Sequence, residues 1–256
     1  MWPALFHIGS FRVPSYGVML GIGILLGIHL ARRRALKENI DPALIESLAF
    51  WVVLMCVLGA RFAYTFVEHS DYYPYHPIEF FYFWNGGLAF SGSLVAAVLT
   101  TWVFCRTHAL SFWRAVDLLT PPVALGLVFG KLGCFLAGCC YGRVCDLPWG
   151  VTFNNPTSLA DPKGLPLHPT QIYEAASWLL LFAVLSLFQR RSSRRPGEVF
   201  FLFGISYGIV RFFLEFLRAD PGYLGPLTTA QMTNIPLVLL CAALWIHRRR
   251  ASAESL

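Results

Sequence analysis

Seven long apolar runs dominate the pattern of hydrophobic and polar positions along the chain. Each run is long enough, or nearly so, to cross about 30 Å of hydrocarbon as an α-helix. We place the predicted helices at residues 13–31, 44–66, 87–104, 116–137, 170–188, 198–217 and 231–246. The longest polar connection runs from Gly138 to Pro169. The pattern therefore predicts an all-α membrane protein whose single domain spans residues 1–256.

The basic residues between these runs predict the orientation of the helices. The connections after helices one, three and five, together with the C-terminus, contain thirteen Lys and Arg residues. The opposite connections contain four, namely Arg12, Arg143, Lys163 and Arg218. The positive-inside rule then places the N-terminus outside and the C-terminus in the cytoplasm. Because basic residues follow the first run and hardly precede it, we expect a retained helix and no cleaved signal peptide.

Composition supports a membrane protein and argues against nucleic-acid binding. The chain is 56% hydrophobic and 13% charged, whereas soluble domains are about 45–50% apolar and about 25% charged. The net charge is +6, but the arginines occur in short clusters beside the apolar runs, at 32–34, 190–195 and 248–250. Such clusters are typical of topology determinants. We therefore expect membrane lipids as partners and no nucleic acid.

Three basic residues, Arg61, Lys131 and Arg211, fall inside predicted helices two, four and six. A cation at membrane depth costs several kcal/mol unless it faces a wet cavity or an anion. The helices are therefore predicted to surround a polar interior cavity, partly neutralised by Glu174 and Glu215. Either these charges pair only with one another, or an anionic ligand completes the neutralisation. The abundant anion in a membrane is a phospholipid phosphate, which arginine binds bidentately.

Four further segments carry candidate chemistry. The aromatic segment Asp71–Trp84 is predicted to lie along the outer leaflet, as an interfacial element or a plain aromatic anchor. Small residues at 86–93 (GGLAFSGS) allow close approach of a helix or a lipid. His168 and Glu174, in HPTQIYE, enter helix five, where a histidine is either a proton carrier or a structural residue. Arg211, Glu215 and Arg218 recur at helical spacing and form a polar stripe on helix six.

Cysteines crowd the connection after helix four. The four are Cys134, Cys139, Cys140 and Cys145. A zinc site is conceivable, because four cysteines can bind the ion, but their spacing lacks paired C-x-x-C knuckles. We expect structural disulfides or unpaired small residues here, with direct catalysis as an alternative. No metal and no cofactor is expected.

Taken in order, these segments resemble the prolipoprotein diacylglyceryl transferase family. The parts that carry the resemblance are SYGVMLGIGILLG, GARFAY, GGLAFSGS, GKLGCFLAGCCYGR, HPTQIYE and GIVRFFLEFLRAD. The resemblance implies a seven-helix protein of the bacterial inner membrane. It implies transfer of diacylglyceryl from phosphatidylglycerol to the lipobox cysteine thiol of a preprolipoprotein, behind its signal-peptide hydrophobic region. The products are a thioether and glycerol 1-phosphate.

The resemblance also implies site residues. Those expected to act in catalysis are Lys131, Arg211, His168 and Glu174. Those expected to bind phosphatidylglycerol are Arg61, Lys131, Arg211, Glu215, Tyr16, Ser91 and Arg218, with Glu215 orienting Arg211. The departing phosphate needs fixed positive charge, and the thiol must become a thiolate.

Three departures from the family pattern bear on the mechanism. Ser91 stands where the family has a histidine, and Lys131 where its signature has an arginine. Cys134 and Cys139 stand where that signature has Asn and Glu. Lysine keeps the charge but loses the bidentate fork. Without that histidine, either His168, Glu174 or bulk water accepts the proton of the acceptor thiol, or the chain is a divergent paralogue. Such a paralogue would use another acceptor or another donor lipid. A third hypothesis is a lipid-binding or transport protein without chemistry, although no internal repeat supports it.

Overall fold

The computed structural model describes residues 2–8, 11–82, 87–191, 194–219, 222–224 and 226–251, and these residues form seven α-helices. The helices are α1 (Ser15–Lys37), α2 (Pro42–Ala63), α3 (Phe90–Thr107), α4 (Phe112–Ala137), α5 (Thr170–Phe188), α6 (Glu198–Leu214) and α7 (Thr229–Ala251). The predicted all-α class is confirmed. Helices α1 and α7 continue past their predicted ends through basic residues. Arg and Lys are good helix formers and interact favourably with the C-terminal end of the helix dipole.

Three short antiparallel strand pairs, one before α1 and two between later helices, were not predicted. Their strands are β1 (Ala4–Ile8) with β2 (Phe11–Pro14), β3 (Val151–Thr152) with β4 (Pro166–Leu167), and β5 (Tyr223–Leu224) with β6 (Leu227–Thr228). Strands of two to five residues are too short to give a recognisable alternation of apolar and polar positions.

Six of the helices are long and apolar enough to cross a membrane: α1, α2, α4, α5, α6 and α7. Only 17–39% of the residues in each apolar window are buried inside the protein. The large hydrophobic side chains left exposed include Leu25, Leu180, Phe213 and Leu239. Because water would not solvate so much apolar surface favourably, the chain is a multi-pass membrane protein. Helix α3, with 18 residues, is not among the six.

The chain divides into two compact units, residues 1–30 with 119–256 (unit 1) and residues 31–118 (unit 2). The main core of unit 1 lies between α4, α5 and α6. Its buried members include Val128, Trp178, Leu185 and Val199. Small residues set close helix crossings in the same unit. A Cβ built on Gly204 would lie 2.6 Å from Cys241 Sγ, so α6 and α7 approach closely there.

The long connection after α4 folds back onto unit 1 through its own small core. Phe153, Ala160 and Leu167 are buried, and Phe135 of α4 and Tyr141 pack against them. This packing makes the connection an ordered element that reaches the start of α5.

Unit 2 is held together by a close crossing of α2 and α3. A Cβ on Gly59 would lie 2.6 Å from Ala96 Cβ, and a Cβ on Gly92 would collide with the carbonyl of Gly59. Ser93 Oγ donates a hydrogen bond to the Cys56 carbonyl at 3.0 Å. After α2 the chain continues as a π-helical turn, Tyr64–Glu68, and then forms two 3-10 turns, Tyr73–Tyr75 and Pro77–Phe81. The two 3-10 turns lie in the segment predicted to be interfacial, of which residues 83 and 84 fall outside the described residues.

Candidate functional site

One buried carboxylate in unit 1 is shared by two cations. Glu174, in the first turns of α5, has a side chain that is 2% exposed. Lys131 Nζ of α4 lies 2.8 Å from Glu174 Oε2, and Arg218 Nη1 lies 3.5 Å from Glu174 Oε1. Three separate segments therefore meet at this carboxylate. The sequence placed all three residues among the site candidates, and the structure brings them together.

A second ion pair of unit 1 lies at the end of α6, where Glu215 begins a 3-10 turn (Glu215–Leu217) that continues the helix. Arg211 Nη1 is 2.6 Å from Glu215 Oε2, and the two side chains are 17% and 5% exposed. The spacing of four residues puts both on one helix face, as predicted. Both atoms are buried, and the ion pair is made without a well-oriented hydrogen bond between them. The Arg211 guanidinium is therefore held beside Glu215 by charge.

The two ion-paired groups form one electrostatic cluster. Tyr207 of α6 interacts electrostatically with Arg211, Glu174, Lys131 and Glu215, and its ring stacks on Trp178 at 4.9 Å. Arg218 interacts in the same way with both carboxylates. Three cations thus face two carboxylates, which leaves one positive charge in excess. In a low-dielectric setting such an excess favours the binding of one anion.

The HPTQIYE segment holds the cysteine-containing turn after α4. Gln171 Nε2 donates to the Cys139 carbonyl at 2.7 Å, and Thr170 Oγ1 donates to the Cys140 carbonyl at 2.7 Å. The Gly142 amide donates to the His168 carbonyl at 2.9 Å. Gln171 and Thr170 are fully buried, so these bonds are shielded from competition with water. Sequence reasoning missed both residues because it weighted only the titratable members of the motif.

Two predicted residues of unit 1 lie at the edge of this arrangement. His168 Nδ1 is 3.5 Å from the hydroxyl of Tyr173, which accepts a hydrogen bond from Trp149 Nε1 at 2.8 Å. Tyr16 is half exposed at the start of α1 and packs against Gly133 of α4. These contacts place His168 in a network of aromatic side chains.

Three cysteines converge beside the charged cluster. The Sγ atoms of Cys134, Cys139 and Cys140 all lie within 4.8 Å of one another. All seven cysteines are free thiols, so the predicted alternative of unpaired residues is the one observed. Hydrogen bonds from the thiols of Cys134 and Cys139, with the charges of Lys131 and Arg218, hold the pKa of Cys140 well below its ordinary value.

The convergence of the three thiols results from the backbone after α4. Gly138 has φ of +82°, and a Cβ there would collide with Ser158 Oγ. Cys140 also has a positive φ, +60°, which few non-glycine residues adopt. The turn folds back on the helix end, where the Gly138 and Cys139 amides both donate to the Cys134 carbonyl. The adjacent pair Cys139 and Cys140 was visible in the sequence, but this reversal was not.

Unit 2 contains the remaining predicted residues, Arg61 and Ser91. Arg61 is 1% exposed, and its Nε and Nη1 atoms donate to the carbonyls of Phe80 at 2.9 Å and Gly87 at 3.1 Å. Its guanidinium also donates to the Glu79 carbonyl and lies over the ring of Tyr73. These bonds attach α2 to the segment that precedes α3. Ser91 is exposed on the first turn of α3.

Comparison with known proteins gives a consistent result over nearly the whole chain. The sequence model of the prolipoprotein diacylglyceryl transferase family matches residues 3–247. A phosphatidylglycerol–prolipoprotein diacylglyceryl transferase of Pseudomonas aeruginosa is 37% identical, over 98% of this chain and 95% of its own length. The enzymes of that name from Bordetella parapertussis and Finegoldia magna are 35% and 32% identical. They align with 97% and 98% of this chain, and over 95% and 97% of their own lengths.

Proposed function

The chain belongs to the prolipoprotein diacylglyceryl transferase family, and we propose that it carries out the reaction for which its relatives are named. The chain takes the diacylglyceryl group of phosphatidylglycerol and joins it to the lipobox cysteine thiol of a preprolipoprotein. The new bond is a thioether, and glycerol 1-phosphate leaves. The comparisons give no support to another acceptor, another donor or a transport function.

The observation that carries this proposal is the charge excess of the cluster in unit 1. Lys131, Arg211 and Arg218 outnumber Glu174 and Glu215 by one positive charge. Phosphatidylglycerol has one negative charge, on its phosphodiester. Binding the phosphodiester there neutralises the cluster, and the same cations stabilise the charge that develops on the departing phosphate.

The contacts suggest a division of roles among these residues. Arg211 offers the phosphate the positive charge of its guanidinium, which Glu215 orients. Lys131 contributes a point charge, and Glu174 holds both Lys131 and Arg218 in position. We assign Tyr16 and Arg61 to recognition of the donor. The direct contact of Arg61 with the lipid stays a prediction, since three of its bonds go to carbonyls.

Proton removal from the acceptor thiol needs a route that does not use residue 91. The Ser91 hydroxyl cannot act as a base near neutral pH, so we assign it to contact with the donor lipid. His168 carries an imidazole, the side chain that most often acts as a general base, and it lies beside Tyr173. Bulk water and Glu174 are the alternatives. A His168→Gln variant separates them, because it keeps a hydrogen-bonding side chain but cannot carry the proton.

The proposed reaction also implies a membrane in which the chain lies and the side on which each terminus lies. Both substrates sit in the bacterial inner membrane, and preprolipoprotein signal peptides present their cysteine near its outer face. We propose that the N-terminus lies outside and the C-terminus in the cytoplasm, as the distribution of Lys and Arg predicts. C-terminal fusions to a fluorescent protein and to alkaline phosphatase test this, because only the first should be active.

A reconstituted assay tests the activity. Purified full-length protein in detergent is incubated with phosphatidylglycerol and a lipobox peptide, and the peptide mass is measured. We expect a diacylglyceryl adduct on the peptide cysteine, and no adduct on a matched peptide with serine in its place. Phosphatidylethanolamine replaces the donor in a second control. Absence of any adduct with fresh phosphatidylglycerol would contradict the proposed function.

Two substitutions at one position test the role of positive charge. Lys131→Ala removes the cation, whereas Lys131→Arg keeps it and restores the residue of the family signature. We expect transfer to fall by at least about tenfold in the first variant, about 1.4 kcal/mol of transition-state stabilisation, and to persist in the second. Equal rates for wild type and Lys131→Ala would remove Lys131 from the catalytic assignment.

A further inference from the structure

Cys134, Cys139 and Cys140 form a thiol cluster, and the roles assigned to the charged residues do not explain why three thiols lie together. Its three sulfur atoms converge from the end of α4 and from the following turn. Three thiols at this separation are an unusual use of cysteine, since unpaired buried cysteines generally behave as single small apolar residues. Cys56, Cys105 and Cys241, which lie singly on helices, fit that ordinary role.

The dimensions of the cluster suit a thiophilic metal ion. In a tetrahedral zinc site the Zn–S distance is about 2.3 Å, which places two ligand sulfurs roughly 3.8 Å apart. The three Sγ atoms lie within 4.8 Å of one another, so each needs to move by about 1 Å or less. Thiolate ligands favour Zn²⁺ and Cu(I) over Mg²⁺ and Ca²⁺. The cluster therefore matches a zinc-type cation in the separation and the chemistry of its donors.

The surroundings of the cluster suit thiolates. Metal binding requires deprotonated sulfur, and nearby cations favour it. Lys131 precedes Cys134 by three residues on α4, and Arg218 forms a β-bridge with Gly142, two residues after Cys140. Three thiolates around a divalent cation leave one negative charge. The cations Lys131 and Arg218 lie next to it. Their positive charge favours thiolates over thiols at the cluster.

The turn that carries two of the three ligands is fixed by bonds from α5. Gln171 and Thr170 bind the carbonyls of Cys139 and Cys140, each at 2.7 Å. Such support is what a metal site requires, because ligands must be held before the ion arrives. Among the described His, Cys, Asp and Glu residues, the group close enough to share a metal ion consists of these three cysteines. Zinc with three protein ligands keeps a fourth position for water or substrate.

We propose that Cys134, Cys139 and Cys140 bind one Zn²⁺ ion whose fourth position receives the acceptor cysteine thiol. This deepens the proposed function and rests on it for the identity of the fourth ligand. On binding, the acceptor thiol releases its proton to solvent. Its sulfur then supplies the electron pair for the new bond to the glyceryl carbon. The bond between that carbon and the phosphate oxygen breaks, and its electron pair leaves on glycerol 1-phosphate. The resulting thioether is a weaker ligand than a thiolate and dissociates.

The proposal accounts for two departures from the family signature together. By the resemblance to the family, Cys134 and Cys139 stand where its signature has Asn and Glu, and Ser91 stands where it has a histidine. A metal ion that lowers the pKa of the acceptor thiol removes the need for a strong base at residue 91. The chain thus lacks the histidine base at residue 91 but has three thiol ligands for a metal ion that could activate the acceptor thiol instead.

Metal analysis of the full-length protein tests the site. The protein is purified in detergent without chelator, dialysed and measured by plasma mass spectrometry, then titrated with Zn²⁺ and with Co²⁺. We expect one zinc per chain and, with cobalt, a sulfur-to-cobalt charge-transfer absorption. Cys134→Ala, Cys139→Ser and Cys140→Ser should each weaken zinc binding by at least about tenfold. Cys145→Ser is the matched control, because Cys145 is buried in the same connection but lies outside the cluster.

The possible outcomes separate the site from the proposed function. A wild-type protein that transfers diacylglyceryl but binds no zinc above the level of a triple-cysteine variant would overturn the metal site alone. Equal zinc affinity in Cys140→Ser and Cys145→Ser would also overturn it. Alkylation and mass analysis that found two of the three cysteines joined in a disulfide would do the same. Stoichiometric zinc in a protein that transfers nothing would support the site and contradict its role in transfer.

Discussion

Removal of Glu174 should destabilise the protein more than removal of either cation that it binds. The carboxylate is buried, and it lies 2.8 Å from Lys131 Nζ and 3.5 Å from Arg218 Nη1. In Glu174→Gln both cations lose their carboxylate, whereas in Lys131→Met the carboxylate keeps Arg218. We therefore compare these two variants and the double variant.

The expected magnitudes follow from these contacts. Breaking a buried ion pair by removing one partner costs about 3–5 kcal/mol, and we assign that range to Glu174→Gln. Lys131→Met loses one bond to a charged group, which is worth about 1.5–3 kcal/mol. Because the two residues are in contact, the double variant should cost less than the sum of the singles, by at least about 1 kcal/mol.

Equilibrium unfolding in mixed detergent micelles, followed by tryptophan fluorescence at constant pH, measures these free energies. Arg32 and Glu46 provide the matched control, since their 3.2 Å ion pair has side chains that are 59% and 40% exposed. Glu46→Gln should change the free energy of unfolding by no more than about 1 kcal/mol. If the Glu174 and Lys131 effects added to within about 0.5 kcal/mol, or if Lys131→Met were the more damaging change, the shared-carboxylate explanation would be refuted.

Three further predictions concern packing and anchoring. Gly92→Ala should lower the free energy of unfolding by about 1–3 kcal/mol, because the new methyl group collides with α2. The same change at Gly21, which has open space around it, should instead raise it by about 0.5–1 kcal/mol; equal effects would argue against the close crossing. Arg61→Lys keeps the charge but loses the fork, so hydrogen exchange in the Pro77–Phe81 turn should accelerate, and unchanged exchange would contradict the anchoring role. Glu198→Gln should cost about 1.5 kcal/mol in thermal unfolding, since its carboxylate accepts bonds from two side chains of α7; an unaltered melting temperature would count against this.

The helices could be predicted because a bilayer requires long apolar runs, whose lengths are visible in one sequence. The extension of α1 to Lys37 was missed, since basic residues mark the end of an apolar run but not the end of a helix. The hairpin formed by β1 and β2 was also missed. Its strands depend on pairing with each other, and that pairing has no signal beyond a few residues.

Contacts of the candidate site between residues close in sequence could be predicted, whereas contacts between separate helices could not. The pairing of Arg211 with Glu215 follows from their spacing on one helix. The choice of Lys131 and Arg218 as the partners of Glu174 depends on which helices are neighbours, and a single sequence does not contain this information. The convergence of three thiols depends on the backbone reversal at Gly138, which becomes visible only in three dimensions.

The ion pair between α4 and α5 also has a consequence for biogenesis. A lysine or an acidic residue adds at most about 2.5–3.5 kcal/mol to the insertion free energy of a helix, the value at the helix centre. Lys131 and Glu174 lie within two turns of a helix end, so each adds less than this. Lys131 and Glu174 cancel much of this cost only when their helices enter lipid side by side. We therefore expect the translocon to release α4 and α5 as a pair. Glycosylation mapping of α4 alone, and of α4 joined to α5, should show more complete insertion of the longer segment; equal insertion would show that α4 enters independently.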